Sequence, residues 1–243
     1  MLNLFRKKNK AVADNLSVDI HSHLLPGLDD GVDSFEQAIE IIKGFEALGY
    51  KKLITTPHIM PDFYRNSETD IRKKLEELKI HIREEGIGVE VLPAAEYYLD
   101  ESLLAKVQDE NYELLTFGNN YLLFETAFMN EPFYLKEFVF AAKARGINPV
   151  MAHPERYAYM HTNPELIDDL LDRGVLLQVN INSFTGYYSK DVKKSAEKLI
   201  DKGTVHFLGS DCHNMKHFNT LQKARTEKYY LRALELPLIN HNL

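Results

Sequence analysis

Residues 18–23 read Val-Asp-Ile-His-Ser-His, a short apolar strand that runs directly into two histidines. From this point the chain repeats one pattern: a short apolar strand, a polar loop, an amphipathic helix and, after several helices, a glycine. The predicted strands are Val18–His21, Lys52–Thr56, Val89–Ala94, Tyr121–Glu125, Pro149–Ala152, Val175–Asn180 and Val205–Gly209. Strands that alternate with helices predict βαβ units and a parallel sheet, so we expect an α/β fold.

Apolar residues at helical spacing predict six helices. We expect them from a capping box at Ser34–Gln37 to Gly49, from Ser67 onwards, over 134–145, from Asn163-Pro164 to Gly174, from Ser189 to Gly203, and over 219–235. Neither an internal repeat nor a linker-like segment interrupts this series. Residues 17–243 are therefore predicted to form one domain.

Composition and charge exclude several classes of protein. The chain has 243 residues, of which 44% are hydrophobic and 27% are charged, as is ordinary for a globular protein. With one cysteine, neither a disulfide framework nor a CxxC site is possible. The net charge of -7 argues against stable nucleic-acid binding. No apolar run approaches the roughly 18–20 residues that span a bilayer, so we expect a cytoplasmic protein.

The N-terminus differs from the rest of the chain. Residues 1–10 contain four basic residues and no acidic one. We interpret residues 1–16 as a flexible basic extension. It is either a solvated tail or a weak contact for an anionic membrane or a partner.

Histidines and carboxylates collect where the predicted strands end. In a (β/α) barrel these ends meet on one face, which is where such enzymes have their active sites. Imidazole nitrogens and carboxylate oxygens suit zinc, manganese or iron. The candidate ligands are His21, His23, Asp30, His58, Glu96, Glu125, His153, Asp211 and His213. Taken singly, any of them could be a core histidine, a helix cap or a solvated acid. Together they exceed what one ion can bind, so we predict two or three divalent ions.

Four of these segments carry a family resemblance. Asp19-Ile-His-Ser-His23, Thr56-Pro-His58, Ala95-Glu96 and Ser210-Asp-Cys-His213 resemble motifs of the polymerase-and-histidinol-phosphatase (PHP) superfamily. Further stretches are similar to the bacterial metal-dependent tyrosine phosphatases encoded with capsule and exopolysaccharide genes. They are His21-Ser-His-Leu-Leu-Pro-Gly-Leu-Asp-Asp-Gly31, Tyr121-Leu-Leu-Phe-Glu125, Ala152-His-Pro-Glu-Arg-Tyr157 and Leu177-Gln-Val-Asn180.

The resemblance covers about residues 18–219 and implies a fold, a cofactor and an activity. It implies a distorted (β/α)7 TIM-like barrel, three metal ions that are commonly manganese, and hydrolysis of phosphotyrosine on a polysaccharide-synthesis tyrosine kinase. The nine candidate ligands match the family's ligand positions, Asp30 being the second aspartate of Asp-Asp-Gly. Arg156 matches the catalytic arginine. A second arginine that relatives often carry after the last motif is missing, and Lys216 or His217 is a candidate substitute.

The expected reaction is attack of a metal-bound hydroxide on a phosphomonoester, because bound ions lower the pKa of water. Arg156 would neutralise phosphoryl charge, its alternative role being a structural ion pair. A metal or a proton donor near His213 would stabilise the leaving oxygen. Cys212 is not predicted to be a nucleophile, because the Cys-x5-Arg pattern would require an arginine where the chain has Phe218.

Other interpretations remain open at this point. The chain could be a different PHP phosphoesterase, acting on a small substrate such as histidinol phosphate, or a phosphodiesterase or nuclease. It could also be an inactive module that docks a kinase. The loop tyrosines Tyr64, Tyr157, Tyr187 and Tyr188 are each expected to be ordinary packing residues, although they could line a pocket.

Overall fold

The computed structural model describes residues 16–243, and within that range it contains short parallel strands that alternate with helices. Apart from Leu16, the predicted N-terminal extension lies outside the described residues; Leu16 itself is buried in the core. The strands are β1 Val18–Asp19, β2 Lys52–Thr55, β3 His58–Ile59, β4 Glu90–Pro93, β5 Glu96–Tyr98, β6 Tyr121–Glu125, β7 Asn148–Ala152, β8 Leu176–Asn180 and β9 Phe207–Gly209.

The strands form two sheets in which every pairing is parallel. One sheet has the order β1-β2-β4 and the other the order β3-β5-β6-β7-β8-β9. The prediction of a parallel sheet is therefore confirmed. Beyond the ends of β1 and β9 an isolated parallel bridge joins Ser22 to Cys212, and the His23 amide donates to the Cys212 carbonyl at 2.9 Å.

The second and third predicted strands are each followed by a short further strand that was not predicted, β3 after β2 and β5 after β4. β2 and β3 are separated by Thr56 and Pro57, and the proline nitrogen cannot donate a ladder hydrogen bond. Across the two interruptions, the Ala94 amide donates to Thr55 O at 2.8 Å and the Glu96 amide donates to Pro57 O at 3.1 Å. The neighbouring strands thus stay side by side across these interruptions.

The helices confirm most of the predicted series. They are α1 Phe35–Ala47, α2 Glu68–Glu84, α3 Glu101–Gln108, α4 Leu135–Ala144, α5 Ala158–Thr162, α6 Glu165–Asp172, α7 Lys190–Lys202, α8 Met215–Ala224 and α9 Lys228–Ala233. Short 3-10 helices span Pro154–Arg156, Ile181–Thr185 and Ile239–Asn242. No helix within residues 16–243 is both long and apolar enough to span a membrane.

The predictions about helices need correction at four points. Helix α3 was not predicted, although Asp100 caps it by accepting from the Leu103 amide at 2.9 Å, and neither was the short α5. The helix predicted over 219–235 is two helices, α8 and α9. At α1 the Gln37 side chain accepts from the Asp33 amide rather than closing a capping box on Ser34.

The side chains of each strand point alternately to the two faces of the sheet, and this divides the core into two parts. Leu122, Phe124 and Met151 point to the large cluster shared with the helices. Leu123 and Val150 point the other way, into a small apolar cluster beside residues of β1, β2 and β9. Successive side chains of a strand face opposite sides, which accounts for the two clusters. The small cluster packs beneath the carboxyl ends of the strands and supports the groups that lie there.

Candidate metal centre

All nine candidate ligands gather at the carboxyl ends of the strands. They form four overlapping groups in which the ligand atoms all lie within 4.8 Å of one another. The groups are His23, Asp30, His58 and His213; His21, His23 and Glu96; His21, His153 and Asp211; and His58, Glu96 and Glu125. Each group combines imidazole nitrogens with at least one carboxylate, which is the donor set that zinc, manganese and iron prefer.

Glu96, at the start of β5, lies at the centre of the cluster. Its Oε2 is 3.1 Å from His21 Nε2 and 3.2 Å from His58 Nδ1, and its Oε1 is 3.0 Å from His153 Nε2. Burial opposes ionisation of Glu96, but the positive charges of His21 and His58 outweigh it and hold its pKa well below the usual value. A buried carboxylate that contacts several imidazoles is well placed to bridge cations.

Ring nitrogens and carboxylate oxygens of the candidate ligands crowd together, and two of the facing atoms, His58 Nδ1 and Glu125 Oε1, have no hydrogen-bond partner. His21 Nε2 and His23 Nε2 are 3.2 Å apart. His58 Nδ1 and Glu125 Oε1 are 3.0 Å apart but are buried with no hydrogen bond of good geometry. Burial lowers the pKa of His58, yet the carboxylates of Glu96 and its neighbours raise it well above its usual value. Buried polar groups normally have partners, so these atoms fit cations that the cluster would bind.

Asp211, just after β9, divides its two oxygens between different partners. Oδ1 lies 3.4 Å from His21 Nε2 and 3.4 Å from His213 Nδ1. Oδ2 accepts hydrogen bonds from Arg156 Nη1 at 2.9 Å, Asn180 Nδ2 at 2.7 Å and Tyr188 OH at 3.3 Å. The donors fix the carboxylate, and the other oxygen remains turned to the histidines.

Two of the candidate ligands have a backbone conformation that is rare outside glycine. His153 has φ 36° and Asp211 has φ 50°. A positive φ costs a residue with a Cβ about 1–2 kcal/mol, and such strain concentrates at functional sites. His153 directly follows the end of β7 and Asp211 lies two residues after the end of β9, and the side chains of both lie in the cluster.

Hydrogen bonds from a second layer of residues set the orientation of the histidines. Asp29 Oδ2 lies 2.7 Å from His23 Nδ1 and also accepts from the His58 amide at 2.9 Å. Gln178 Oε1 lies 2.8 Å from His21 Nδ1. When Nδ1 donates in this way, Nε2 is the free nitrogen that can ligate. The sequence interpretation did not assign roles to Asp29 and Gln178, although a glutamine inside the apolar strand β8 was an available signal.

Arg156 makes an ion pair and also lines the cavity. Its guanidinium carbon is 4.8 Å from the centroid of the Phe128 ring and 4.4 Å from that of Tyr188, so it lies between two aromatic faces while Nη1 contacts Asp211. Its 3-10 helix is anchored by the buried Glu155 carboxylate, which accepts from Ser183 Oγ at 2.6 Å. In this conformation Arg156 forms an ion pair with Asp211 and also faces the cavity, so the predicted ion pair and the predicted phosphate contact are compatible.

A cavity of about 640 Å³ opens above these residues. Candidate ligands form one part of its lining and Met60, Phe63, Tyr98 and Phe128 form an apolar part. Arg156 is the arginine among the lining residues; of the two candidate substitutes for a second arginine, His217 lines the cavity and Lys216 does not.

The predicted loop tyrosines have different positions. Tyr64 and Tyr188 line the cavity, Tyr187 packs against Tyr188, and Tyr157 is fully buried as a packing residue. Cys212 is also fully buried, and burial raises the pKa of its thiol well above the usual value. A protonated, inaccessible thiol does not act as a nucleophile.

Comparison with known proteins identifies the family. Residues 17–229 match the family described as "Capsular polysaccharide synthesis, CpsB/CapC". The chain belongs to this family. It is 32% identical to the tyrosine-protein phosphatase YwqE of Bacillus subtilis over 206 residues, which cover 83% of this chain and 79% of the relative. It is 29% identical to the putative tyrosine-protein phosphatase CapC of Staphylococcus aureus, over 93% of this chain and 90% of the relative.

Solved structures extend the comparison of this CpsB/CapC-family chain. It matches a structure from a study of YwqE from Bacillus subtilis and CpsB from Streptococcus pneumoniae, described as metal-dependent tyrosine phosphatases, with a TM-score of 0.77 and 30% identity. That match covers 92% of this chain and 94% of the other. A histidinol phosphate phosphatase of Lactococcus lactis matches with a TM-score of 0.53 and 12% identity, covering 86% and 92%, which shows a similarity of fold alone.

Proposed function

We propose that this protein is a metal-dependent protein-tyrosine phosphatase. The observation that carries the proposal is the cluster of nine histidines and carboxylates around the buried Glu96, beneath a cavity that also contains Arg156. The relatives in the CpsB/CapC family that bear the name tyrosine-protein phosphatase support the same activity. The substrate would be a phosphotyrosine-bearing protein such as the tail of a bacterial tyrosine kinase.

The proposed cofactor is two to three divalent ions, with Mn²⁺ as the first candidate and iron or zinc as alternatives. The proposed ligands are His21, His23, Asp30, His58, Glu96, Glu125, His153, Asp211 and His213. Bound divalent ions would supply an acidified water as nucleophile and neutralise charge on the phosphoryl oxygens. The overlap of the four ligand groups at His21, His23, His58 and Glu96 supports more than one ion.

The proposed catalytic residues of the chain itself are Arg156 and His213. The guanidinium of Arg156 matches the oxygens of a phosphate, and its aromatic neighbours and Asp211 hold it at the cavity wall. His213 lies at the cavity with Nδ1 3.0 Å from Asp211 O and Nε2 3.4 Å from Asp30 Oδ1. We propose that the leaving oxygen departs on this side of the cavity.

The chemistry of the leaving group favours tyrosine over serine phosphate. A phenol has a pKa of about 10, whereas an alkyl alcohol is several units more basic and needs more help from a general acid. The acids and histidines of the cavity are nearly all proposed ligands, which leaves few groups to act as a strong proton donor. An aryl ester is the substrate that needs such a donor least.

The architecture proposed for residues 17–243 is one domain, a distorted (β/α)7 barrel. Counting β2 with β3 and β4 with β5 gives seven strand units in a continuous parallel order, and the bridge from Ser22 to Cys212 joins the last unit to the first. The apolar cluster of inward residues supports this arrangement. A cytoplasmic location and a weak membrane or partner contact through residues 1–16 remain part of the proposal.

One set of assays tests the proposed function. The full chain, loaded with Mn²⁺, is incubated with a phosphotyrosine peptide, a matched phosphoserine peptide, histidinol phosphate and single-stranded DNA. We expect rapid hydrolysis of the phosphotyrosine peptide and slow or no turnover of the others. A clear preference for histidinol phosphate or for DNA would replace the proposal with another phosphoesterase, and turnover of none would indicate a docking module.

A further inference from the structure

Phe63 and Phe128, neither of which is a proposed ligand or catalytic residue, lie at the mouth of the cavity. Phe63 follows β3 and is 77% exposed, and Phe128 follows β6 and is 41% exposed. The Phe128 ring is already in contact with Arg156, whereas Phe63 has no aromatic or cationic partner among residues 16–243. Large apolar side chains that face one cavity from two loops indicate a surface for an apolar part of a ligand.

The turn that carries Phe63 is held firmly in place. The amide of Met60 donates to Tyr64 O at 3.0 Å, and the amide of Tyr64 donates to Met60 O at 2.7 Å. Arg65 Nε donates to Pro61 O at 2.9 Å, and the amide group of Asn66 donates to His58 O at 2.8 Å. Phe63 is therefore displayed on an ordered turn, so that a ligand would pay little of the entropy cost of ordering it.

The turn also lies directly beside the candidate ligands. The ring of Tyr64 stacks on the ring of His58, with centroids 5.4 Å apart and an interplanar angle of 13°. Phe63, the preceding residue in the chain, lines the same cavity and is far more exposed than His58. The ester substituent of a phosphate held by the ligands would occupy this cavity, whose lining includes Tyr64 and Phe63.

We propose that Phe63 binds the aryl ring of the phosphotyrosine substrate and contributes to the selection of aryl over alkyl phosphates. This inference rests on the proposed function and names the substrate contact at the same site. Aromatic pairs gain more than their buried area alone provides, and a seryl phosphate has no ring to make the contact. Because the contact lies away from the reacting bond, it adds to binding more than to the rate of the chemical step.

The test compares Phe63→Ala with Phe140→Ala. Phe140 is the matched control, since it is 75% exposed on α4 and does not line the cavity. We measure KM and kcat on phosphotyrosine and phosphoserine peptides, and the Kd of phenylphosphonate and methylphosphonate by calorimetry on the Mn²⁺-loaded protein. For Phe63→Ala we expect KM for the phosphotyrosine peptide and Kd for phenylphosphonate to rise about tenfold. The methylphosphonate Kd and kcat should change less than about twofold, and Phe63→Tyr should restore aryl binding.

The outcomes separate this inference from the proposed function. Equal weakening of both phosphonates, or no change in either, would overturn the role of Phe63. A change confined to the peptide would assign Phe63 to the flanking residues instead of the ring and would overturn it as well. If the wild-type chain fails to hydrolyse the phosphotyrosine peptide, the proposed function fails, while the phosphonate affinities still decide whether Phe63 selects an aryl group.

Discussion

Two parts of the cavity differ in which side chains are buried: its floor, formed by the candidate ligands, and its rim, where Phe63 lies. On the floor, the side chains of Glu96, His21 and His23 are ionisable yet at most 1% exposed. On the rim, Phe63 is apolar yet 77% exposed. Burial of an ionisable side chain costs free energy unless the group is paired, whereas a single exposed apolar side chain is common on protein surfaces. The buried ionisable groups of the floor are arranged for cations, and Phe63 at the rim is an exposed apolar group that lines the same cavity.

The largest effect is expected at the centre of the floor. Glu96→Gln removes the charge that contacts His21, His58 and His153. Metal content, measured by elemental analysis, should fall, and kcat should drop by more than the roughly 10³-fold that loss of one transition-state contact costs. The exposed Glu84→Gln on α2 serves as the control. Full metal occupancy with normal turnover in Glu96→Gln would show that the charge of Glu96 is needed neither for metal binding nor for catalysis.

Arg156→Ala should separate binding of metal from turnover. Losing a charge contact to the phosphoryl group lowers kcat by roughly 10²–10³-fold, whereas Asp211 keeps its hydrogen bonds from Asn180 and Tyr188. Metal content should therefore stay near the wild-type value. Joint loss of metal and activity would assign Arg156 to the structural ion pair with Asp211 alone.

Two adjacent aspartates offer a comparison of a buried with an exposed carboxylate. The Asp29 side chain is 0% exposed and holds His23, whereas that of Asp30 is 56% exposed and faces His58 and His213 directly. Asp29→Asn should weaken metal binding by roughly 10–100-fold, the usual cost of losing an orienting partner of a ligand. Titration of metal into the apoprotein checks this, with Asp33→Asn as the control. Unchanged affinity in Asp29→Asn would show that His23 needs no orientation.

Metal binding should release protons. Burial lowers the pKa of His23, but Asp29 outweighs it and raises the pKa from 6.5 to about 10 in the metal-free fold. The charged imidazole stabilises that fold below pH 6.5, and this contribution is lost as the pH rises towards 10. Metal needs the neutral ring, so its affinity changes in the opposite direction, up to about tenfold per pH unit for each proton released. Calorimetry in buffers of different ionisation enthalpy at pH 7 should detect the release; its absence would contradict a liganding role for His23.

The smallest effect is expected at the thiol. Cys212 is fully buried and does not line the cavity. Cys212→Ala should change kcat/KM for a phosphotyrosine peptide less than about twofold and lower stability by about 1 kcal/mol through the lost packing. Kinetics and thermal unfolding on the same preparation measure both quantities. An inactive but folded Cys212→Ala variant would point to thiol chemistry and against the metal floor.

The sequence by itself determined the elements and the type of chemistry at their ends. The alternation of strands and helices and the histidines after β1, β7 and β9 are local patterns, readable because each depends on neighbours a few residues away. The prediction of a single helix over 219–235 was wrong, because the break between α8 and α9 carries neither glycine nor proline as a signal. The capping aspartate of α3 was readable and was missed.

Only the tertiary structure decided which groups support the candidate ligands. Gln178 meets His21 across 157 residues, Arg156 meets Asp211 across 55, and Asp29 rather than Asp30 turns inward to His23. These contacts depend on how parallel strands pack side by side, which no spacing along the chain encodes. The same holds for Phe63. Nothing in the sequence distinguishes it from other phenylalanines, and only the folded turn places it beside His58. Local periodicity in the sequence predicts where the strands end, whereas long-range packing determines which side chains come into contact at those ends.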